Sequence, residues 1–187
     1  PLPDFVPMIS GAPADVMESA KRLACSAIVI VNIGVDRKDI SKAQISYFYE
    51  QDIVFTRVNF PHMLSPNNVP PGAGSIQAEI YFSPKYKPLD RPPNDFIKPA
   101  IQDLRRCGLL RGGDRILFEN AMYAPYANII FDHERTEALK KVHGFLDEIG
   151  IACCGRYGEW GYLWTDESFI SGERAARNAL DGLKGKK

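Results

Sequence analysis

The chain has 187 residues, 45% of them apolar and 25% charged, the composition of a globular chain that can bury a core as one ordinary domain or as one lobe of something larger. Lys plus Arg and Asp plus Glu both number 23, so the formal net charge is zero. That balance argues against a nucleic-acid or anionic-membrane binder acting through bulk electrostatics, and the short basic tail at 183–187 does not change it.

Pro1, Pro3 and Pro7 predict an extended segment entering a fold already under way, as in a piece of a longer chain. After Pro13, the apolar positions Val16, Ala20 and Leu23 recur at helical spacing. The β-branched run at 26–35 then reads as a strand buried on both faces. Segments 45–50 and 53–60 read as two strands split by a tight hairpin at Gln51-Asp52. In the second, alternation puts Val54, Thr56, Val58 and Phe60 on one face and Phe55, Arg57 and Asn59 on the other. The Pro/Gly/Asn stretch 61–74 is long enough for a lid or binding loop.

A strand at 75–83 and a Pro-rich loop at 84–95 follow. Segment 94–108 reads as a helix with Asn94 as N-cap and Gly108 as its stop; Pro99 moves the expected start toward itself. A strand is expected at 114–126. An amphipathic helix at 132–150 has Asp132 as cap, a face of Leu139, Val142, Leu146 and Ile149, and Gly150 as terminator. A last short strand is expected at 151–157. The final helix opens at Thr165 or Asp166, with Phe169, Ala176, Leu180 and Leu183 as a buried stripe and Gly172, Ala175, Ala176 and Ala179 as a small-residue face. The pattern predicts an α+β fold, a mainly antiparallel mixed sheet with packed helices.

Cys25, Cys107, Cys153 and Cys154 show no CxxC or Cys/His ligand spacing, which points to reduced, buried thiols and a cytoplasmic setting. The longest apolar run, 24–35, is too short to span a bilayer and contains Asn32, so no transmembrane segment is expected. His62, His133 and His143 form no metal-ligand pattern and read as surface or cap residues. Ser171 lacks a GxSxG elbow, so hydrolase chemistry is unsupported.

The densest signal is "CCGRYGEWGYLWTDESFISGERAA" at 153–176. Gly155, Gly158 and Gly161 recur every three residues, where the backbone passes close to something or takes a positive φ. Arg156 suits a phosphate or carboxylate. Trp160, Tyr162 and Trp164 suit an aromatic ligand or a packed aromatic turn, and the helix start behind them offers free N–H groups.

This stretch resembles the C-terminal FAD-binding segment of the flavin amine-oxidase superfamily, especially its UDP-galactopyranose mutase-like and protoporphyrinogen oxidase-like branches. The segments "PLPDFVPMI", "VFTRVNF" and "YANIIFDHERTEALKKVHGFLDEIGI" are similar in the same order, so the resemblance covers most of the chain. It implies a substrate-binding-like lobe at 1–150 and an FAD-contacting strand-turn-helix at 151–187. It also implies Gly155, Arg156, Trp160, Asp166, Ser171 and Gly172 beside the cofactor, and Arg57, Tyr162 and Tyr126 beside a small-molecule substrate such as a nucleotide-sugar. No catalytic residue follows from it.

Leu163 stands where the mutases carry a second tyrosine and Trp160 where they carry another, which departs from the specific mutase pattern. The GxGxxG fingerprint of the dinucleotide-binding half is also missing: "GAGSIQ" at 72–77 has Gln77 at the third glycine and precedes a strand. The implied function is the C-terminal portion of an FAD-dependent oxidoreductase or mutase. The alternative is a stand-alone α+β binding module, whose surface left open by the missing half predicts self-association.

Overall fold

The β-branched stretch Ala27–Val35 forms β1, the strand on which a five-stranded, wholly antiparallel sheet is built. The structure, a computed structural model, describes residues 1–184, with side chains described as far as Asp181. Strands β2 (Ile45–Tyr47), β3 (Arg57–Asn59), β4 (Gly74–Phe82) and β5 (Ile116–Ala124) complete the order β2-β3-β4-β1-β5. The chain divides into two compact units: a sheet unit, Ala27–Ala127, and a helical unit made of Pro1–Ser26 and Asn128–Lys187.

In the sheet unit, β1 pairs along its whole length with β4, from Ala27 opposite Phe82 to Val35 opposite Gly74, and on its other side with β5. Alternation sends Val29, Val31, Ile33 and Val35 into a core with Ile76, Ala78, Ile80 and Val58. Helix α4 (Ile97–Arg106) closes that face through Ala100 and Leu104, helped by Phe96 and Leu110. The 3-10 turn Pro93–Phe96 precedes α4, so Pro99 falls in its first turns, where a missing N–H costs nothing. Phe96 meets Phe82 edge-on at 5.3 Å between ring centres.

The opposite face of β1 carries buried Ile28 but half-buried Ile30, Asn32 and Gly34, so burial on both faces is not observed beyond the start of the strand. The hairpin at Gln51-Asp52 is likewise replaced. Residues 48–56 form a looser connection in which Phe55 is buried and stacks edge-on with Phe48 at 5.0 Å. Asp103, only 8% exposed, holds that connection by accepting from the Val54 N–H at 2.8 Å and the Arg106 guanidinium at 2.9 Å. Short helix α3 (Pro61–Leu64) and the 3-10 turn Pro66–Asn68 lie within the expected loop.

In the helical unit, Pro1–Met8 is helical rather than extended: α1 (Leu2–Phe5) runs into the 3-10 turn Val6–Met8. Prolines are accepted there because the first turn of a helix has no internal use for their N–H groups. Leu2 and Val6 are buried with Val16, Ser19 and Ala20 of α2 (Ala14–Arg22). Helix α2 packs on α5 (Arg135–Glu148), which buries Ala138, Val142 and Leu146 and leaves Ile149 exposed. Asp132 caps α5 by accepting from the Glu134 and Arg135 N–H groups at 3.2 and 3.0 Å. Cys25 and Ile129 form an isolated antiparallel bridge, with Ser26 donating to the Asn128 carbonyl at 2.7 Å.

The strand expected at 151–157 is absent. Residues 151–154 are irregular and α6 (Gly155–Gly158) is a single helical turn leading to α7 (Thr165–Lys184). The stripe expected on α7 is not buried either: Phe169 is 77% exposed, and Ile170, Ala176 and Leu180 are exposed too, while Ser171 is buried and Ser168, Gly172 and Ala175 are half-buried. The side chain of Leu183 lies outside the described residues. Cys25 is buried and Cys107 and Cys153 half-buried, but Cys154 is exposed. Among the described residues no helix is long and apolar enough to cross a membrane.

Two tests bear on the sheet unit. A Cβ at Gly74 would collide with the Arg37 carbonyl oxygen and meet Ile40 Cδ1 at 2.5 Å. Gly74→Ala is therefore expected to cost roughly 1–3 kcal/mol in urea unfolding. Asp114, paired with Arg37 at 2.8 and 2.7 Å, has its carboxyl held at about 2 instead of the usual 3.8, chiefly by that guanidinium. A depressed folded value stabilises above the unfolded pKa and is lost as pH falls through the folded one. Stability should thus drop between about pH 4 and pH 2, and Asp114→Asn should flatten that part of a pH series of urea midpoints.

Candidate functional site

The open face of the sheet is polar because alternation puts every second residue of each strand there. Its centre is Glu79 of β4, 5% exposed. Arg57, directly across on β3, donates to both carboxylate oxygens, Nε at 2.7 Å and Nη2 at 2.8 Å. The Asn59 amide and the Tyr81 hydroxyl each donate to Glu79 at 2.6 Å. Four donors on one carboxylate are what an enclosed charge requires. Glu79 raises the Arg57 guanidinium further above its already high range. Burial first, and the Glu79 carboxylate second, push the Tyr81 phenol well above its ordinary value of 10.

Along the same face, Gln77 donates to Asn32 at 2.9 Å and Asn32 to Asn120 at 2.9 Å, a row of carboxamides across β4, β1 and β5. The next row holds Ser75, Gly34 and Phe118. Beyond it, His62 Nδ1 accepts from the Ser75 N–H at 3.1 Å while Nε2 bonds the Lys38 carbonyl at 3.1 Å, which pins α3 to β4. The family resemblance pointed to Arg57, and alternation placed it on a strand face; Glu79, Tyr81 and the carboxamide row had no signal except alternation once register was known.

In the helical unit the Gly-Arg turn is built from hydrogen bonds. Gly155 has φ of +71°, in the left-handed region where a side chain is strained, and its N–H donates to Ser171 Oγ at 2.8 Å. Ser171, 1% exposed, in turn donates to Glu159, which also accepts from Arg174 at 2.5 Å. Arg156 donates to the Leu163 carbonyl at 2.9 Å and to Asn128 at 3.0 Å, and its guanidinium lies 5.0 Å from the centre of the Tyr162 ring.

Trp160 takes φ of +50° and is fully enclosed in this unit, its carbonyl accepting from Arg135 at 3.0 Å. Tyr162 and Trp164 are the exposed aromatics of the turn, edge to face at 6.3 Å. Of the three glycines only Gly155 needs its conformational freedom.

Thr165 and Asp166 are the first and second residues of α7 rather than its cap, and Glu167 accepts from the Trp164 N–H at 2.8 Å. Asp166 is exposed; Gly172 faces open space at the position of a Cβ. The expected residues Gly155, Arg156, Trp160, Tyr162, Asp166, Ser171 and Gly172 thus belong to the helical unit, and Arg57 with half-buried Tyr126 to the sheet unit.

No protein-family model matches the chain, and no curated protein matches it. Among solved structures it is similar to reduced UDP-galactopyranose mutase, with a TM-score of 0.85 and 26% identity. The match covers 98% of this chain and 40% of that one, so the chain spans less than half the length of its structural neighbour.

Two substitutions probe these networks. Glu79→Gln should lower stability by about 2 kcal/mol, a shift in urea midpoint at unchanged slope. It should also bring the Tyr81 phenol down in an absorbance titration, though not to its ordinary value, since burial persists. Gly155→Ala should cost about 1 kcal/mol through its positive φ, with open space around the added methyl.

Proposed function

We propose that this chain is the C-terminal, substrate-side portion of an FAD-dependent enzyme related to the flavin amine-oxidase superfamily, acting on a nucleotide-sugar or related substrate. The observation that carries the reading is the match of 98% of the chain to UDP-galactopyranose mutase at a TM-score of 0.85. The Gly-Arg turn of the resemblance supports it, since Gly155 is held in the left-handed conformation against α7.

The residues present fit one wall of a flavin site. The bare Cα of Gly172 leaves open space, and Asp166 offers an exposed carboxylate in the first turn of α7. The exposed Phe169, Ile170 and Leu180 on α7 are consistent with a covering polypeptide, and the dinucleotide-binding half is the natural one to supply it. Flavin, when bound, would carry the electron transfer. Arg156 would act by holding the turn through Leu163 and Asn128, and Ser171 by fixing Gly155; neither needs to touch the cofactor. In the sheet unit, Arg57, bound by Glu79 through Nε and Nη2 and also by Tyr47, would present the outer edge of its guanidinium to substrate, and Tyr126 would add a phenol group.

The test is the visible absorption spectrum of the longest natural polypeptide that contains this segment. Flavin bands are expected, with lower flavin content in Arg156→Ala. Absence of flavin after incubation with FAD would overturn the reading in favour of a binding module without redox chemistry.

A further inference from the structure

We propose that the open face of the sheet carries a separate binding site for an uncharged, hydroxyl-rich group, a neutral saccharide unit, in the groove between the carboxamide row and the loop at 61–74. The groove has a volume of about 660 Å³ and lies wholly within the sheet unit. Its polar side chains are Asn32, Asn68, Ser75 and Gln77; no Lys, Arg, Asp, Glu or His lines it. A pocket that must hold an anion supplies a cation or a cluster of N–H donors aimed at it, and this one supplies neutral amides.

The carboxamide row has capacity to spare. Gln77 uses one amide hydrogen on Asn32, and Asn32 uses one on Asn120. Each carboxamide has two donors and an acceptor oxygen, so Gln77 Oε1 and Asn120 Nδ2 are left over at opposite ends of the row. Neighbouring hydroxyls on one ring both donate and accept, which matches a row that offers an acceptor at one end and donors along it.

If all three amides invert together, the two bonds of the row survive and its polarity reverses, so it adapts to either orientation of a ligand. Phe118, 56% exposed in the adjoining row, offers a flat apolar surface for the C–H face of a sugar ring. Ser75 Oγ is enclosed beside the groove with no hydrogen-bond partner, a cost that a ligand hydroxyl would offset.

Charge points the same way. The cation of this face, Arg57, is already neutralised by Glu79, and that carboxylate lies two residues along β4 from Gln77. A phosphate group in the groove would find only a closed, net-neutral ion pair nearby and no cation among the lining residues to balance it.

The experiment uses the 187-residue chain with no flavin present, so its outcome is independent of the flavin reading. Side-chain amide resonances of Asn32, Gln77 and Asn120 are followed while lactose, N-acetylglucosamine or inorganic pyrophosphate is titrated in. Saturable shifts with a saccharide and none with pyrophosphate are expected. Gln77→Ala should weaken the saccharide by about fivefold, the loss of one hydrogen bond.

Phe118→Ala, at an exposed position, should weaken it while leaving the amide spectrum folded. Shifts with pyrophosphate alone, no shift with either saccharide, or saccharide shifts that persist unchanged in a folded Phe118→Ala variant would each overturn the proposal.

Discussion

The register of β1 against its two neighbours is the constraint on which the sheet unit depends. With Val31 opposite Ala78 and Asn32 opposite Gln77, every valine and isoleucine at an odd position from 29 to 35 enters the core. A slip of one residue would send Asn32 among Ile76, Ala78 and Leu104 and put the valines in water. The same register aligns Gln77, Asn32 and Asn120 into one hydrogen-bonded row, while the pairing of β3 with β4 sets Arg57 opposite Glu79. Core and carboxamide row are therefore two faces of one pairing choice.

The helical unit solves a different problem, how to hold a glycine-rich turn in one shape around a single enclosed ring, Trp160. It does so with polar contacts to the interior: Ser171 to Gly155 and Glu159, Arg156 to Asn128 and Leu163, Arg135 to Trp160, and His143 to the Gly158 carbonyl at 2.9 Å. The left-handed Trp160 persists because its ring is enclosed and its carbonyl is bound. Side chains that resemble cofactor ligands in sequence thus act here on the backbone of the turn itself.

Elements with strong periodicity and clear stops were legible in the sequence. β1, β4, α2 and α5 follow from their apolar spacing, and Asp132 and Gly150 bound α5 as capping chemistry requires. Other readings failed for physical reasons. Pro1, Pro3 and Pro7 look extended, yet a first helical turn tolerates them. The apolar residues at 151–154 look like a strand but pair with no sheet edge among the described residues.

On α7, hydrophobicity marked Phe169 and Leu180, while the residue the helix buries is Ser171, with Ser168, Gly172 and Ala175 half-buried. Composition names the residues a helix could bury; it does not say which partner surface is at hand. Glu79 was invisible for a related reason, since an isolated carboxylate in a strand acquires meaning only from Arg57, Asn59 and Tyr81 across the ladder.

The placing of Ile28 opposite Ala124 has a consequence for the order in which the chain folds. The helical unit is discontinuous in sequence, and its Ser26–Asn128 contact joins residues 102 apart. Closing a flexible loop of that length costs about 4 kcal/mol of chain entropy. Once β1 and β5 are paired, that closure has already been made, and the strand ends deliver the two segments of the helical unit to one place. Assembly of the helical unit is then a local event templated by the sheet, and damage to β5 alone would deprive α2 and α5 of their meeting point without touching either helix.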